Sequence, residues 1–403
     1  LFMFVALIIW NTIQWHTTHK KRNLILIGAC ITLMSMVKPS EIFVIIIPVF
    51  FGVYSKSTFI QKWKLIVKYK TQFLWMAGVC FLLAIPQMSY WWIRTGRLFY
   101  DSYINPGVGL DVLSPYIVES LFSFKKGWLI YTPVMILSVI GFYFLFKKHK
   151  KIAWSLSGYV ILTSYIIFSW TEWWYGAAFS NRPLITVYPI FAITLGLTLT
   201  YISNKNLLIK SLTAVFILFC VFLNQFQWWQ MRAGILEPYR TTKDYYCATF
   251  LKTSVTHEDR KLLSVFRNFD GSHHFTHKEK YRSVSTHNLT FDEYDSSKFV
   301  LNSSVEFSPT LEIPYKDLTK KDHVWIEIEV KYKSEETDPN NLPLLVSSIE
   351  RKEGSYGYYT ERLSQNTDGW NVYQMDYMTP TIRNGSDRLK LYIWNQKMAK
   401  CEI

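Results

Sequence analysis

Between positions 73 and 229 the chain carries five apolar stretches, at 73–93, 127–146, 152–170, 184–203 and 211–229, each long enough to cross a membrane as one helix. An α-helix rises about 1.5 Å per residue, so roughly 20 apolar residues cover about 30 Å of hydrocarbon. Backbone polar groups in lipid must be satisfied within the segment itself, which makes these stretches helices rather than irregular chain. A partial stretch opens the sequence at 1–15, and two short ones, 24–37 and 42–54, are separated only by Lys38, Pro39, Ser40 and Glu41. The short pair predicts either a tight helical hairpin with a polar tip at one membrane surface or two ordinary helices with a proline-marked turn. The first half thus reads as an α-helical polytopic membrane domain of about eight spans.

Charge divides the chain in the same place. Mean hydropathy is close to zero only because two unlike halves are averaged. Positions 1–230 hold 20 Lys and Arg against five Asp and Glu, whereas 231–403 hold 24 against 25. The excess positive charge punctuates apolar runs, the pattern of anchors at a lipid surface and not of a nucleic-acid-binding protein. Basic residues near span ends stay on the cytoplasmic side. The clusters Lys20 to Arg22, Lys56 to Lys70, Lys147 to Lys151, and Lys205 with Lys210 therefore share one side. The connections 38–41, 94–126 and 171–182, and everything after 229, then face outward. All five acids of this half, Glu41, Asp101, Asp111, Glu119 and Glu172, fall in those outer connections. That segregation predicts outward-facing polar chemistry.

The outer loop 94–126 is too long for a simple turn, and loops of that length are usually functional. Its stretch 115–124 is amphipathic and suited to the interfacial plane, where a passive anchor is the plainer reading. In the next outer loop Trp170, Trp173, Trp174 and Tyr175 stand beside Glu172 and Arg182. Such a group serves equally as an aromatic belt or as a sugar-stacking, phosphate-binding rim. A guanidinium at a span boundary holds phosphate oxygens bidentately, although snorkelling to the interface explains a single Arg as well.

The segments "PQMSYWWIRTGRLFYDSY", "SPYIVESLFSFKKGWLIYTPVM" and "WWYGAAFSNRPLITVYPIF" resemble parts of bacterial polytopic GT-C glycosyltransferases, related to the protein O-mannosyltransferase and aminoarabinose-transferase type. The resemblance covers about 38–189 and rests on loose patterns of aromatic, Gly and Arg residues. It implies transfer of a sugar from a polyprenyl-phosphate carrier to an extracytoplasmic acceptor glycan, lipid or protein. It also implies a multi-pass protein of the cell inner membrane with its C-terminal domain in the periplasm. Such transfer needs a carboxylate near the acceptor hydroxyl and cations to hold the departing phosphate.

In that family the catalytic Asp lies in the first outer loop, but here no acid precedes Glu41 and Leu1 already sits in an apolar run. The resemblance therefore implies an N-terminally truncated chain whose main catalytic Asp lies upstream. By the same resemblance, Lys38 of "VKPSE" and Arg182 are assigned to the lipid-linked phosphate. Lys126 and Tyr131 of "KKGWLIYTP" would face the carrier, and Trp174 and Tyr175 would line the substrate rim. Glu172, Asp101 and Asp111 are the remaining carboxylates for acceptor or metal contacts. No His, Cys and Asp spacing marks a dedicated metal site, so any divalent cation would be held by carboxylates and carrier phosphate. The alternative class is a non-catalytic, membrane-anchored glycan-binding or envelope assembly protein. A transporter would carry ionisable groups deep within spans, which the sequence almost lacks.

After a connecting segment, 231–290, the period changes. In "HVWIEIEVKYK", Ile326, Ile328, Val330 and Tyr332 alternate with Glu327, Glu329 and Lys331, the pattern of a half-buried strand. Similar runs at 298–303, 342–349, 356–360, 371–377 and 388–394 are separated by turns such as "TDPNN", "NTDG" and "RNGSD". They predict an all-β sandwich over 291–403. "DGWNVYQMDYMTP" and "DRLKLYIWNQ" resemble late strands of jelly-roll carbohydrate-binding modules, and a closing strand is expected to be missing after 394. His273, His274 and His277 read as solvated loop residues. Of five cysteines, only Cys247 and Cys401 lie outside spans, a spacing that gives no disulfide framework.

Overall fold

A computed structural model of the chain describes residues 1–100, 109–260, 262–264, 282–290, 298–319, 321, 324–336, 338–351, 354–364, 369–380, 382 and 384–403. Asp101 and the histidines at 273, 274 and 277 lie outside the described residues. The chain divides into a helical unit and a β unit.

The helical unit runs α1 (Phe2–Thr18), α2 (Lys21–Val37), a 3-10 turn (Pro39–Ile45) leading into α3 (Ile46–Phe50), α4 (Lys56–Lys68) and α5 (Lys70–Thr95). It continues with α6 (Ile117–Phe122), α7 (Trp128–Tyr131), α8 (Met135–Lys148) and α9 (Lys150–Phe168). A second 3-10 turn (Arg182–Val187) precedes α10 (Tyr188–Ser203), and α11 (Leu207–Arg232) and α12 (Lys243–Thr249) follow. Among the described residues four segments are long and apolar enough to cross a membrane: α5, α9, Arg182–Ser203 and α11. The expectation of about eight spans is met in that part only. The apolar helices α1 and α2 have 17 residues each and α8 has 14.

Proline accounts for two of the differences. The continuous stretch expected at 127–146 is interrupted after Tyr131, where Pro133 supplies no backbone donor and its ring restricts Thr132. The short run after Lys38 forms a 3-10 turn that begins at Pro39 and becomes α-helical only from Ile46. Pro86, by contrast, is carried inside the continuous helix α5.

The core of this unit gathers Val5 and Ile8 of α1, Ile27 and Met34 of α2, Leu156 and Tyr159 of α9, and Val187 and Ile190. Around it, α5 buries none of its residues. Leu74, Trp75, Phe81 and Leu82 are all exposed, as expected of a span that faces lipid. Helices α8 and α10 approach closely at Gly141, where a Cβ would collide with the Thr194 carbonyl, and Thr198 Oγ1 donates to the Leu137 carbonyl at 2.9 Å. Small residues let helix backbones meet in this way. Gly141→Ala is therefore expected to cost about 1–3 kcal/mol through overpacking. Gly196→Ala on α10, with open space around it, should be neutral or slightly stabilising. Thermal unfolding of the two variants in the same detergent checks the contrast, and equal midpoints would refute it.

The β unit is built from β1 (Val300–Leu301), β2 (Leu311–Pro314), β3 (Trp325–Ser334), β4 (Leu344–Arg351), β5 (Gly354–Arg362), β6 (Asn371–Met378), β7 (Arg388–Trp394) and β8 (Cys401–Glu402). They form two antiparallel sheets, ordered β1-β8-β3-β6 and β2-β7-β4-β5. Register places Ile328 opposite Met375 in one sheet and Leu345 opposite Ile393 in the other, and these residues share one core with Tyr332, Ile349 and Leu389. The alternation read in the sequence thus gives the inward faces. A two-residue strand after 394, β8, lies between β1 and β3. All five cysteines are free thiols, with Cys401 buried and Cys247 exposed.

Candidate functional site

The chain leading out of the long outer loop is fastened to the end of α9. Leu110 bridges Trp170, Asp111 N donates to the Ser169 carbonyl at 2.6 Å, and Tyr116 N donates to the Phe168 carbonyl at 2.8 Å. After α6 the backbone turns tightly, so that Gly127 N bonds the Ser123 carbonyl at 2.6 Å. A Cβ at Gly127 would meet that same oxygen at 2.5 Å, which restricts the position to glycine. Trp128 Nε1 then donates to the Tyr188 hydroxyl at 3.1 Å, and Tyr131 donates its hydroxyl to the Phe124 carbonyl at 2.7 Å. This turn holds two adjacent lysines in different settings. Lys125 is half-buried with its ammonium 4.3 Å from the Trp174 ring centre, a cation–π contact. Lys126 is only 2% exposed.

The facing wall comes from the loop between α9 and the Arg182 turn. Tyr175, Gly176 and Ser180 all have positive φ, at 50°, 67° and 50°. Tyr175 donates its hydroxyl to the Ile167 carbonyl at 2.6 Å, which pins the loop to α9. Ser180 and Asn181 are buried, yet among the described residues Ser180 Oγ and both polar side-chain atoms of Asn181 have no hydrogen-bond partner. Buried polar atoms are almost always satisfied, so such orphans call for a reason.

Between the walls lies a narrow recess lined by Lys125, Lys126, Tyr131, Ser180 and Glu237 with apolar residues that include Phe179 and Leu236. Burial, then the neighbouring Lys125 and Arg182 charges, pull the Lys126 ammonium down to about 7. Among the described residues Lys126 makes no ion pair or hydrogen bond. A cation buried beside two other cations is unfavourable unless an anion joins it. The site is therefore chemically suited to an anion with several acceptor oxygens.

The structure brings together Lys126, Tyr131, Trp174 and, through its charge on Lys126, Arg182. Tyr131 serves as a buried prop: its hydroxyl is spent on Phe124, and burial raises its pKa well above the ordinary phenol value. Tyr175 likewise braces the loop. Lys38 is not among the cavity residues; its ammonium lies 3.6 Å from Glu41 Oε1. Glu41 is 1% exposed, and Tyr159 donates to its other oxygen at 3.5 Å. Asp111 and Glu172 are half-buried and engaged with neighbours. Among the described residues no three His, Cys, Asp or Glu side chains converge as a metal site.

Sequence reading passed over Ser180, Asn181 and Glu237, whose importance comes from burial and proximity across the fold. Together the four long apolar helices and the two-sheet unit define the class: a helical membrane protein with a β-rich C-terminal region. No family model, curated protein or solved structure matches the chain.

Proposed function

We propose that the cavity binds the phosphate of a lipid-linked sugar, and that the protein is a membrane glycosyltransferase acting from a polyprenyl-phosphate carrier onto an extracytoplasmic acceptor. The observation that supports this reading is Lys126, a buried ammonium that makes no ion pair among the described residues, beside Lys125, Arg182 and the polar atoms of Ser180 and Asn181 that lack a partner among those same residues. In the reaction the acceptor hydroxyl oxygen attacks the anomeric carbon and the bond from that carbon to the phosphate oxygen breaks. The lipid phosphate departs with the electron pair, and the hydroxyl proton passes to a carboxylate. Clustered cations favour the departing phosphate because its charge grows in the transition state. Glu237 is the carboxylate lining the same cavity and takes the proton in this scheme. Lys38, Glu172, Asp101 and Asp111 remain supporting assignments from the family resemblance.

The test is transfer of a radiolabelled sugar from polyprenyl phosphate by the purified protein. Arg182→Ala and Glu237→Gln are each expected to slow transfer about 100-fold, the typical effect of removing one stabilising group. Undiminished transfer in both would remove the assignment. Tight binding of the carrier with no transfer under any condition would instead favour the non-catalytic glycan-binding or envelope assembly reading.

A further inference from the structure

Helix α4 starts sharply at Ser55, whose Oγ accepts from Thr58 N at 3.3 Å while Thr58 Oγ1 accepts from Ser55 N at 2.9 Å. One side of the helix is fastened to the protein by Lys62. Its ammonium is buried, donates to the Pro48 carbonyl at 2.8 Å and lies 2.6 Å from His16 Nε2. That anchor fixes the rotation of the helix about its axis.

The rest of the circumference is divided. At 100° per residue, Phe59, Ile60, Trp63 and Val67 fall within one arc of about 100°. All four are between 46% and 61% exposed. Lys64 and Lys68 are exposed next to that arc, and positions 55–70 contain no Asp or Glu. The helix passes through Tyr69 directly into α5, the span that buries none of its residues and leaves Leu74, Trp75, Phe81 and Leu82 exposed. The apolar arc of α4 is thus continuous along the chain with a surface made for lipid, and it lies where that span begins. Amphipathic helices with this pairing of aromatic and basic residues lie in the membrane interface and favour anionic lipid.

We propose that α4 is an interfacial helix that seats Phe59, Ile60, Trp63 and Val67 at the headgroup–acyl boundary and binds anionic phospholipid headgroups through Lys64 and Lys68. The proposal rests on α5 as a membrane span and is independent of the chemistry at the cavity.

The experiment uses the whole chain with Ile60→Cys in a Cys247→Ser background, labelled with an environment-sensitive fluorophore. It is reconstituted into vesicles of phosphatidylcholine alone or of phosphatidylcholine mixed equally with phosphatidylglycerol. The label should be shielded from aqueous iodide and quenched by lipids brominated near the headgroup. Phosphatidylglycerol should raise the thermal midpoint of the protein, and the combined variant Lys64→Glu with Lys68→Glu should lose that rise. Free access of iodide to the label, crosslinking of the labelled position to a second copy, or equal midpoints in the two lipid mixtures would each overturn the proposal.

Discussion

Replacing Lys126 with Met will weaken binding of a short-chain dialkyl phosphodiester on the order of 30–100-fold, the loss expected when one charge-assisted hydrogen bond is removed from a buried site. The same variant should flatten the pH dependence of binding. The Lys126 ammonium is pulled down to about 7, because burial and the Lys125 and Arg182 charges disfavour its charged form. An anion at the site favours that form and raises the pKa of the bound state. Only the protonated lysine binds well, so affinity is full below about pH 7 and falls as pH rises, by up to tenfold per unit until the bound-state pKa is reached. A phosphodiester keeps its single charge through this range, which leaves Lys126 as the titrating group. Titration calorimetry from pH 6 to 9, on wild type and Lys126→Met, checks both the size and the sign. A wild-type affinity that stays level or increases with pH would contradict the assignment.

The second large effect is expected in the β unit. Asp387 is buried at the start of β7, where Oδ1 accepts from Arg351 Nε at 3.1 Å and Oδ2 accepts from Asn384 N at 2.9 Å. Asp387→Ala removes the buried carboxylate that Arg351 Nε bonds, and breaking one side of such a pair costs about 3–5 kcal/mol. Adding Arg351→Met removes the other side of the pair and should recover part of that loss. Thermal unfolding of wild type and both variants decides it. A double variant less stable than Asp387→Ala would show that packing of the arginine stem outweighs the ion pair.

How much of this was legible in the sequence depended on the range of the forces involved. Strands β3, β6 and β7 stand where the alternation placed them, because a half-buried strand writes its period directly into neighbouring residues. Strand β2 was missed: it has four residues, ends in Pro314 and owes its place to pairing with β7. Strand β8, two residues long, exists only through its partners β1 and β3. Among the helices, hydropathy found α5, α9, α10 and α11 but passed over the interruption at Pro133, since Thr and Pro hardly lower a window average.

The site was legible by residue type and illegible by environment. Lys125 and Lys126 are equivalent in a string of letters, and only the turn at Gly127 buries one of them. Lys38 was grouped with Arg182 on the strength of a motif, whereas the fold pairs it with Glu41. Glu41 itself was counted among the outward acids without being singled out, because nothing local reveals that the polar tip folds against Tyr159.

The left-handed backbone at Tyr175 and Ser180 gives the cavity a temporal character as well as a shape. Non-glycine residues in that region sit roughly 1–3 kcal/mol above relaxed backbone. With the Ser180 and Asn181 side chains also without a partner among the described residues, this wall is expected to open more readily than the strands of the β unit. An occupant that bonds those atoms holds the wall closed, so amide protons along 175–182 should exchange with deuterium more slowly once the anion arrives, while those within β3 and β6 keep their pace.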